Sequence, residues 1–298
     1  MKLRAFIYII LACVLWGTSG IFVHYLTPYG FTTMQMMAVR AVISFGSMAL
    51  YAVFKYRAAF KTDPKRLLLY AMIGLSVFGT GSSYFAAMQM TSISTAVVLM
   101  YSAPIYVMIF SVLFLKERLT PLKLISVATM LVGCCLVSGI IGGMKFNLLG
   151  IAMGALSGVA YAAYNIFTKI SMQNKNDPIS STMYGFMFML FFSLFLSEPH
   201  KIVANASQAP ATVIPLLIGL GVVTVVVPYF LYTLSMRELP AGTASALGIM
   251  EPMAATLFSV FLFGEKLSMP SVCGILLILS AVFLLAKAEN QKAPKRKE

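Results

Sequence analysis

Tyr84–Thr120 reads YFAAMQMTSISTAVVLMYSAPIYVMIFSVLFLKERLT, and Tyr232–Ser268 reads YTLSMRELPAGTASALGIMEPMAATLFSVFLFGEKLS. The two stretches align without a gap, 148 positions apart. Tyr84 meets Tyr232, Met88 meets Met236, and Thr95-Ala96 meets Thr243-Ala244. Leu99 meets Leu247, Pro104 meets Pro252, and Phe110-Ser111-Val112 meets Phe258-Ser259-Val260. The copies end alike, on Glu117-x-Leu119 and Glu265-x-Leu267. An internal repeat inside an apolar chain points to two similar halves around a site at the membrane midplane. Transport is the leading expectation.

The chain around this repeat has 298 residues, 60% hydrophobic and 10% charged, with a mean hydropathy of +0.89. A soluble domain carries about 25% charged residues. One spanning helix needs about 20 apolar residues, and ten such runs are readable: 4–26, 34–54, 66–90, 93–115, 121–140, 148–172, 179–197, 211–236, 241–263 and 269–287. Met1–Phe22 has the basic start of a signal peptide, but its apolar run continues to Leu26 without a small-residue cleavage pattern, so it reads as the first span. The division is 1–143 for the first five-helix half, 144–288 for the second and 289–298 for a basic tail. Five is odd, so the second half must be inverted relative to the first.

The net charge of +13 does not read as a nucleic-acid surface, because most basic residues fall in short connections between spans. With the N-terminus inside, the outer side keeps only Lys145, Lys201 and Lys266, and Arg40 lies within a span. That bias places both termini in the cytoplasm. The tail from Glu289 is expected to fray or to rest on anionic headgroups. Asn205-Ala206-Ser207 matches a sequon in the predicted outer loop, a short pattern without meaning in a bacterial chain. Cys13, Cys134, Cys135 and Cys273 sit in apolar runs and read as packing residues. There is no metal-ligand spacing, no phosphate-binding loop and no nucleophile motif, so no cofactor, metal, catalytic residue or nucleotide-hydrolysing site is assigned.

Glu251 is the sharpest functional candidate. It falls mid-span beside Pro252, where a charge is expensive and usually faces a cavity or a partner. Its repeat mate is Ala103, so the shared scaffold does not require the acid. It reads as a contact for a substrate amine or as a proton-binding group; the alternative is a structural carboxylate bonded to a neighbouring helix. Arg40, about two turns into the second span, reads first as a structural ion-pair or snorkelling residue, and second as a contact for a substrate carboxylate. Pro104 and Pro252 hold equivalent mid-span positions and are candidate hinges, since each removes a helical hydrogen bond. Trp16, the sole tryptophan, is mid-span. Tyr84, Tyr101, Tyr161, Tyr164, Asn165 and Tyr229 also place polar tips away from the interfaces, and as a set they suggest a polar, aromatic pocket. Gly150, Gly154 and Gly158, continued by Ala162, form a small-residue stripe expected to admit a neighbouring backbone. Glu117 and Glu265 are expected to cap the following helix or to pair with Arg118 or Lys266.

These features resemble the EamA branch of the drug/metabolite transporter superfamily over nearly the whole chain. Trp16-Gly17, Arg40, Ala103-Pro104 with Leu115-Lys116-Glu117-Arg118-Leu119, and Glu251-Pro252 with Phe263-Gly264-Glu265-Lys266-Leu267 carry the resemblance. It implies an all-α membrane protein of ten transmembrane helices in two inverted five-helix repeats. It further implies a central cavity in which Trp16, Tyr84, Tyr101, Tyr161, Asn165, Tyr229 and Glu251 are liners. Relatives of this kind commonly export amino acids, related metabolites or toxic compounds from bacteria. The expectation is a secondary transporter of the bacterial inner membrane, moving a small organic solute outward by alternating access, with the lipid bilayer and that solute as its partners. A nucleotide-sugar or sugar-phosphate exchanger would want several deep basic residues, and only Arg40 is deep. A membrane enzyme would want grouped acids or histidines at one face, and a non-transporting sensor would want a soluble output domain; neither is visible.

Overall fold

The structure, a computed structural model, describes residues 2–117, 119–140, 147–194, 197–264 and 266–291, and every regular element among them is helical. Arg118, Lys145, Glu265 and the tail beyond Gln291 lie outside the described residues. The first half holds α1 (Lys2–Gly17), α2 (Ser19–Leu26), α3 (Thr33–Lys55), α4 (Pro64–Met90), α5 (Ile93–Met100), α6 (Ala103–Leu115) and α7 (Pro121–Val137). The second holds α8 (Leu148–Gln173), α9 (Pro178–Leu194), α10 (Pro199–Ser207), α11 (Pro210–Gly221), α12 (Val227–Ser235), α13 (Ala241–Leu247), α14 (Met250–Phe263) and α15 (Met269–Gln291). A π-helical stretch, Val222–Val226, joins α11 to α12.

All ten expected spans coincide with helical runs. By length and composition, however, eight runs among the described residues suffice to cross a membrane, and a ninth if α9 and α10, bent by 95° to each other, count as one. The run at Pro121–Val137 is apolar but shorter.

The helix starts follow from local chemistry. Thr32 and Gln35 form a reciprocal capping box at α3. Asp63 accepts from the Arg66 amide at α4, Thr120 from the Lys123 amide at α7, and Asn147 from the Gly150 amide at α8. Pro64 and Pro121 occupy first-turn positions where a missing N–H is harmless.

Pro104 and Pro252, the candidate hinges, stand beside breaks and not inside continuous helices. The chain breaks at Tyr101-Ser102 and at Gly248-Ile249, and each proline falls in the first turn of the helix that follows. A proline is compatible with a first turn and hostile to an interior, so the span divides just upstream of it.

The two halves interlock. α1 packs on α14 and on α12, while α8 packs on α5 and α6 and on α4. The expected glycine stripe serves the second contact: a Cβ on Gly154 would stand 2.5 Å from Leu99 Cδ1, and one on Gly158 would stand 2.7 Å from the Leu99 carbonyl. α7 and α15 cross where Gly133 and Gly274 face each other. Phe54, Phe261 and Phe283 point outward, the apolar exterior that lipid accepts.

Candidate functional site

Glu251 lies in the first turn of α14, where a carboxylate is favoured by the helix dipole. Its charge is felt by Cys13 on α1, Arg40 on α3, Tyr84 on α4, Tyr101 at the α5–α6 break, Cys134 on α7, Tyr161 on α8 and Tyr229 on α12. Side chains from six helices and from the α5–α6 break thus lie within electrostatic reach of one acid. Glu251 is nevertheless partly exposed, as are Arg40, Tyr84 and Tyr229. The Tyr101 hydroxyl is turned toward the carboxylate without closing a hydrogen bond of ordinary length.

Aromatic rings wall one side. Trp16 meets Tyr229 edge-on at 5.1 Å between centroids and Tyr232 at 5.3 Å. Tyr164 meets Tyr229 at 5.4 Å and stacks on Tyr161 at 6.2 Å. Such offset and edge-on arrangements suit the ring quadrupoles. Asn165 differs from its expected role. It is wholly buried, donates to the Tyr161 carbonyl at 2.7 Å and accepts from the Tyr232 hydroxyl, so it orients a ring from behind instead of facing open space. Beneath Tyr164 and Tyr229, Thr168, Thr182 and Thr233 help line a cavity with room for about one water. The hydroxyls of Tyr164, Thr168 and Thr182 are enclosed and unpartnered.

Arg40 is held by hydroxyls. Its Nη2 donates to Ser19 Oγ at 3.1 Å and to Thr224 Oγ1 at 2.8 Å, and its Nε donates to Thr224 Oγ1 at 3.2 Å. Among the described residues no carboxylate lies within ion-pair distance of it.

One end of the bundle, the end that the charge bias assigns to the cytoplasm, is shut by buried polar contacts. Lys123 pairs with Glu289 at 3.2 Å, and the Thr243 hydroxyl donates to the same Glu289 oxygen. Lys169 donates to the carbonyls of Met236 and Leu239 at 2.9 and 2.8 Å, satisfying acceptors orphaned by the end of α12. Glu117 Oε1 accepts from the Ala241 amide at 3.0 Å. All seven residues of α13 are buried behind these contacts.

Three expectations change here. Lys123 and Lys169, which the charge bias puts with the basic residues of the inner side, are buried on α7 and α8. Glu289, placed in the fraying tail, is buried near the end of α15, which runs on to Gln291 because Lys123 and Thr243 hold its carboxylate. Glu117 caps α13 of the other half, not the helix that follows it. At the far end, the Asn205 amide donates to the Gly30 carbonyl at 2.9 Å, so it ties α10 to the turn after α2. Tyr232 was legible as the mate of Tyr84, but the repeat alone does not say that it would join the ring cage.

Among the described residues no cluster of three or more His, Cys, Asp or Glu side chains is placed to hold a metal.

The comparisons with known proteins agree with this architecture. A crystal structure superposes with a TM-score of 0.80 over 98% of both chains at 16% identity, which speaks for the fold. An uncharacterized transporter of Archaeoglobus fulgidus is 31% identical over 282 residues, covering 93% of this chain and 94% of that one. The threonine/homoserine exporter RhtA of Salmonella typhimurium is 24% identical over 241 residues, 80% of this chain and 77% of that one. The model of the EamA-like transporter family matches twice, over residues 3–139 and 148–287. With a duplicated all-helical bundle, two matched spans broken beside a proline and a membrane-facing exterior, the chain belongs to the EamA-like transporter family.

Proposed function

We propose that this transporter is a secondary exporter of small amine-bearing metabolites, amino acids among them, in the inner membrane of a bacterium with both termini cytoplasmic. The observation that carries the reading is Glu251 itself, a partly exposed acid in the first turn of α14 that has no basic group within ion-pair distance among the described residues. An anion so placed recognises an ammonium group, and the surrounding Trp16, Tyr84, Tyr101, Tyr161 and Tyr229 supply aromatic faces that attract cations. Asn165 acts through Tyr232. The breaks beside Pro104 and Pro252 are the hinges about which the outer and inner halves of those spans swing during alternating access. The threonine/homoserine exporter among the relatives suggests threonine as the first solute to try.

The test is counterflow of labelled threonine into proteoliposomes. Loss of a charge-assisted contact of about 1.5–3 kcal/mol predicts that Glu251→Gln slows counterflow at least tenfold, with the variant still monodisperse. Wild-type rates for Glu251→Gln with every amine solute would remove the acid from the site.

A further inference from the structure

Arg40 presents a half-satisfied guanidinium to the same centre. An arginine fork has five N–H donors in one plane. Here Nε and Nη2 are used, and both bind neutral hydroxyls, Ser19 on α2 and Thr224 in the π-helical stretch. Among the described residues Nη1 has no hydrogen-bond partner, and Arg40 as a whole is partly exposed. Neutral acceptors orient a cation without cancelling its charge, and a cation inside a bundle calls for an anion. Glu251 is near enough to interact with Arg40 electrostatically but lies beyond ion-pair distance.

The repeat shows that the scaffold does not need this charge. At the 148-residue offset of the repeat Arg40 meets Phe188, and at the 145-residue offset between the starts of the two family matches, 3 and 148, it meets Gly185; neither is charged. Gly185, which carries no side chain to be charged, packs against Ile73 of α4 in the first half. Each half thus contributes one charge that the other lacks: Arg40 from the first, Glu251 from the second. Both are partly exposed, and Tyr229 lies near each.

We propose that Arg40 is a second binding pole, which takes the carboxylate of the solute whose ammonium Glu251 holds, so that the site selects zwitterions over simple amines. Ser19 and Thr224 are positioning residues that aim the fork. A free carboxylate arriving at Nη1, whose two hydrogens are not used by Ser19 or Thr224, would be held by a charge-assisted hydrogen bond. A zwitterion bound between the two residues would set its ammonium against Glu251 and its carboxylate against Arg40. The inference rests on reading Glu251 as the amine contact.

The experiment is competition against labelled threonine counterflow in proteoliposomes of the full chain. The competitors are unlabelled threonine, threonine amide, which keeps the ammonium but lacks the carboxylate, and the matching 2-hydroxy acid, which lacks the ammonium. In the wild type, threonine should compete at least tenfold better than either analogue. Arg40→Gln should weaken threonine at least tenfold and leave the amide unchanged; Arg40→Lys, which keeps the charge but not the fork, should fall between. Threonine-dependent thermal stabilisation of detergent-purified Arg40→Lys gives the same ordering without requiring transport. Equal competition by threonine and its amide in the wild type overturns the proposal, as does an Arg40→Gln variant that weakens both alike. If Glu251→Gln leaves threonine competition untouched while Arg40→Gln still reduces it, the amine reading fails and the carboxylate pole stands alone. A wild type that moves neither threonine nor its amide overturns both.

Discussion

α5 and α13 hold equivalent places in the two copies of the repeat, yet all seven residues of α13 are buried, whereas α5 encloses only Thr95 and Ala96. Their starts differ in the same sense. α5 is capped by its own Ser92, whose hydroxyl accepts from the Thr95 amide at 3.1 Å. The matching residue before α13 is Pro240, which offers no acceptor, and Glu117 reaches across from the first half to supply one. Likewise Thr120 and Ser268 cap α7 and α15 alike, but the third residue on is the buried Lys123 in one copy and Ser271 in the other. The shared residues decide where helices begin and break. The residues peculiar to one copy decide which end is shut.

The strongest test of that contrast is the buried ion pair. Breaking it on one side leaves a desolvated charge, so Glu289→Leu should lower stability by about 3–5 kcal/mol, while the double variant Lys123→Met/Glu289→Leu should recover most of the loss. At the equivalent place in the other copy, Ser271→Met should change stability by about 0.5 kcal/mol or less. Unfolding of the purified protein in detergent reads all three, and a Ser271→Met cost equal to that of Glu289→Leu would erase the contrast.

A smaller effect is expected at the caps. Glu117→Ala should cost about 1–2 kcal/mol and Ser92→Ala about 1 kcal/mol. Only the first should speed hydrogen exchange at the amides of Ala241–Thr243, because only there does the cap also join the halves. Equal exchange in the two variants would mean that Glu117 is an ordinary local cap.

The smallest lies at the ends of the preceding helices. Gly264 closes α14 with φ of 69°, and its mate Lys116 closes α6 with φ of 53°. Lys116→Gly should stabilise by about 1 kcal/mol and Gly264→Ala should destabilise by a similar amount. A thermal shift of the wrong sign in either would show that the two turns are not equivalent.

Much of this architecture was readable from the chain. Apolar length located all ten helical runs, and the gapless repeat announced two halves. Most of the ring cage was readable: Trp16, Tyr161, Tyr164 and Tyr229 stand out as polar-tipped residues inside spans, and the structure gathers them with Tyr232. What escaped depends on partners distant in sequence. A lysine near a span end looks like a loop cation until its acceptor is known, and the partners of Lys169 and Lys123 lie 67 and 166 positions away, at Met236 and Glu289. Asn165 read as a liner because its polar tip lies inside a span and the family resemblance implies that place, but the ring that claims its oxygen comes from α12. Proline forecast a disturbance in each broken span, while the actual break, placed upstream of it, also needs the flanking Ser102 or Gly248.

The make-up of α13 bears on how the shut end can release. Its seven residues, Ala-Gly-Thr-Ala-Ser-Ala-Leu, present almost no relief to their neighbours. Helices interlock through the depth of their ridges, and a rod this smooth has little to disengage. Such a closure acts as a catch and not as a weld. In the alternating-access cycle proposed above, trading a few hydrogen bonds at its tip would let the rod pivot while the adjoining helices keep their own packing.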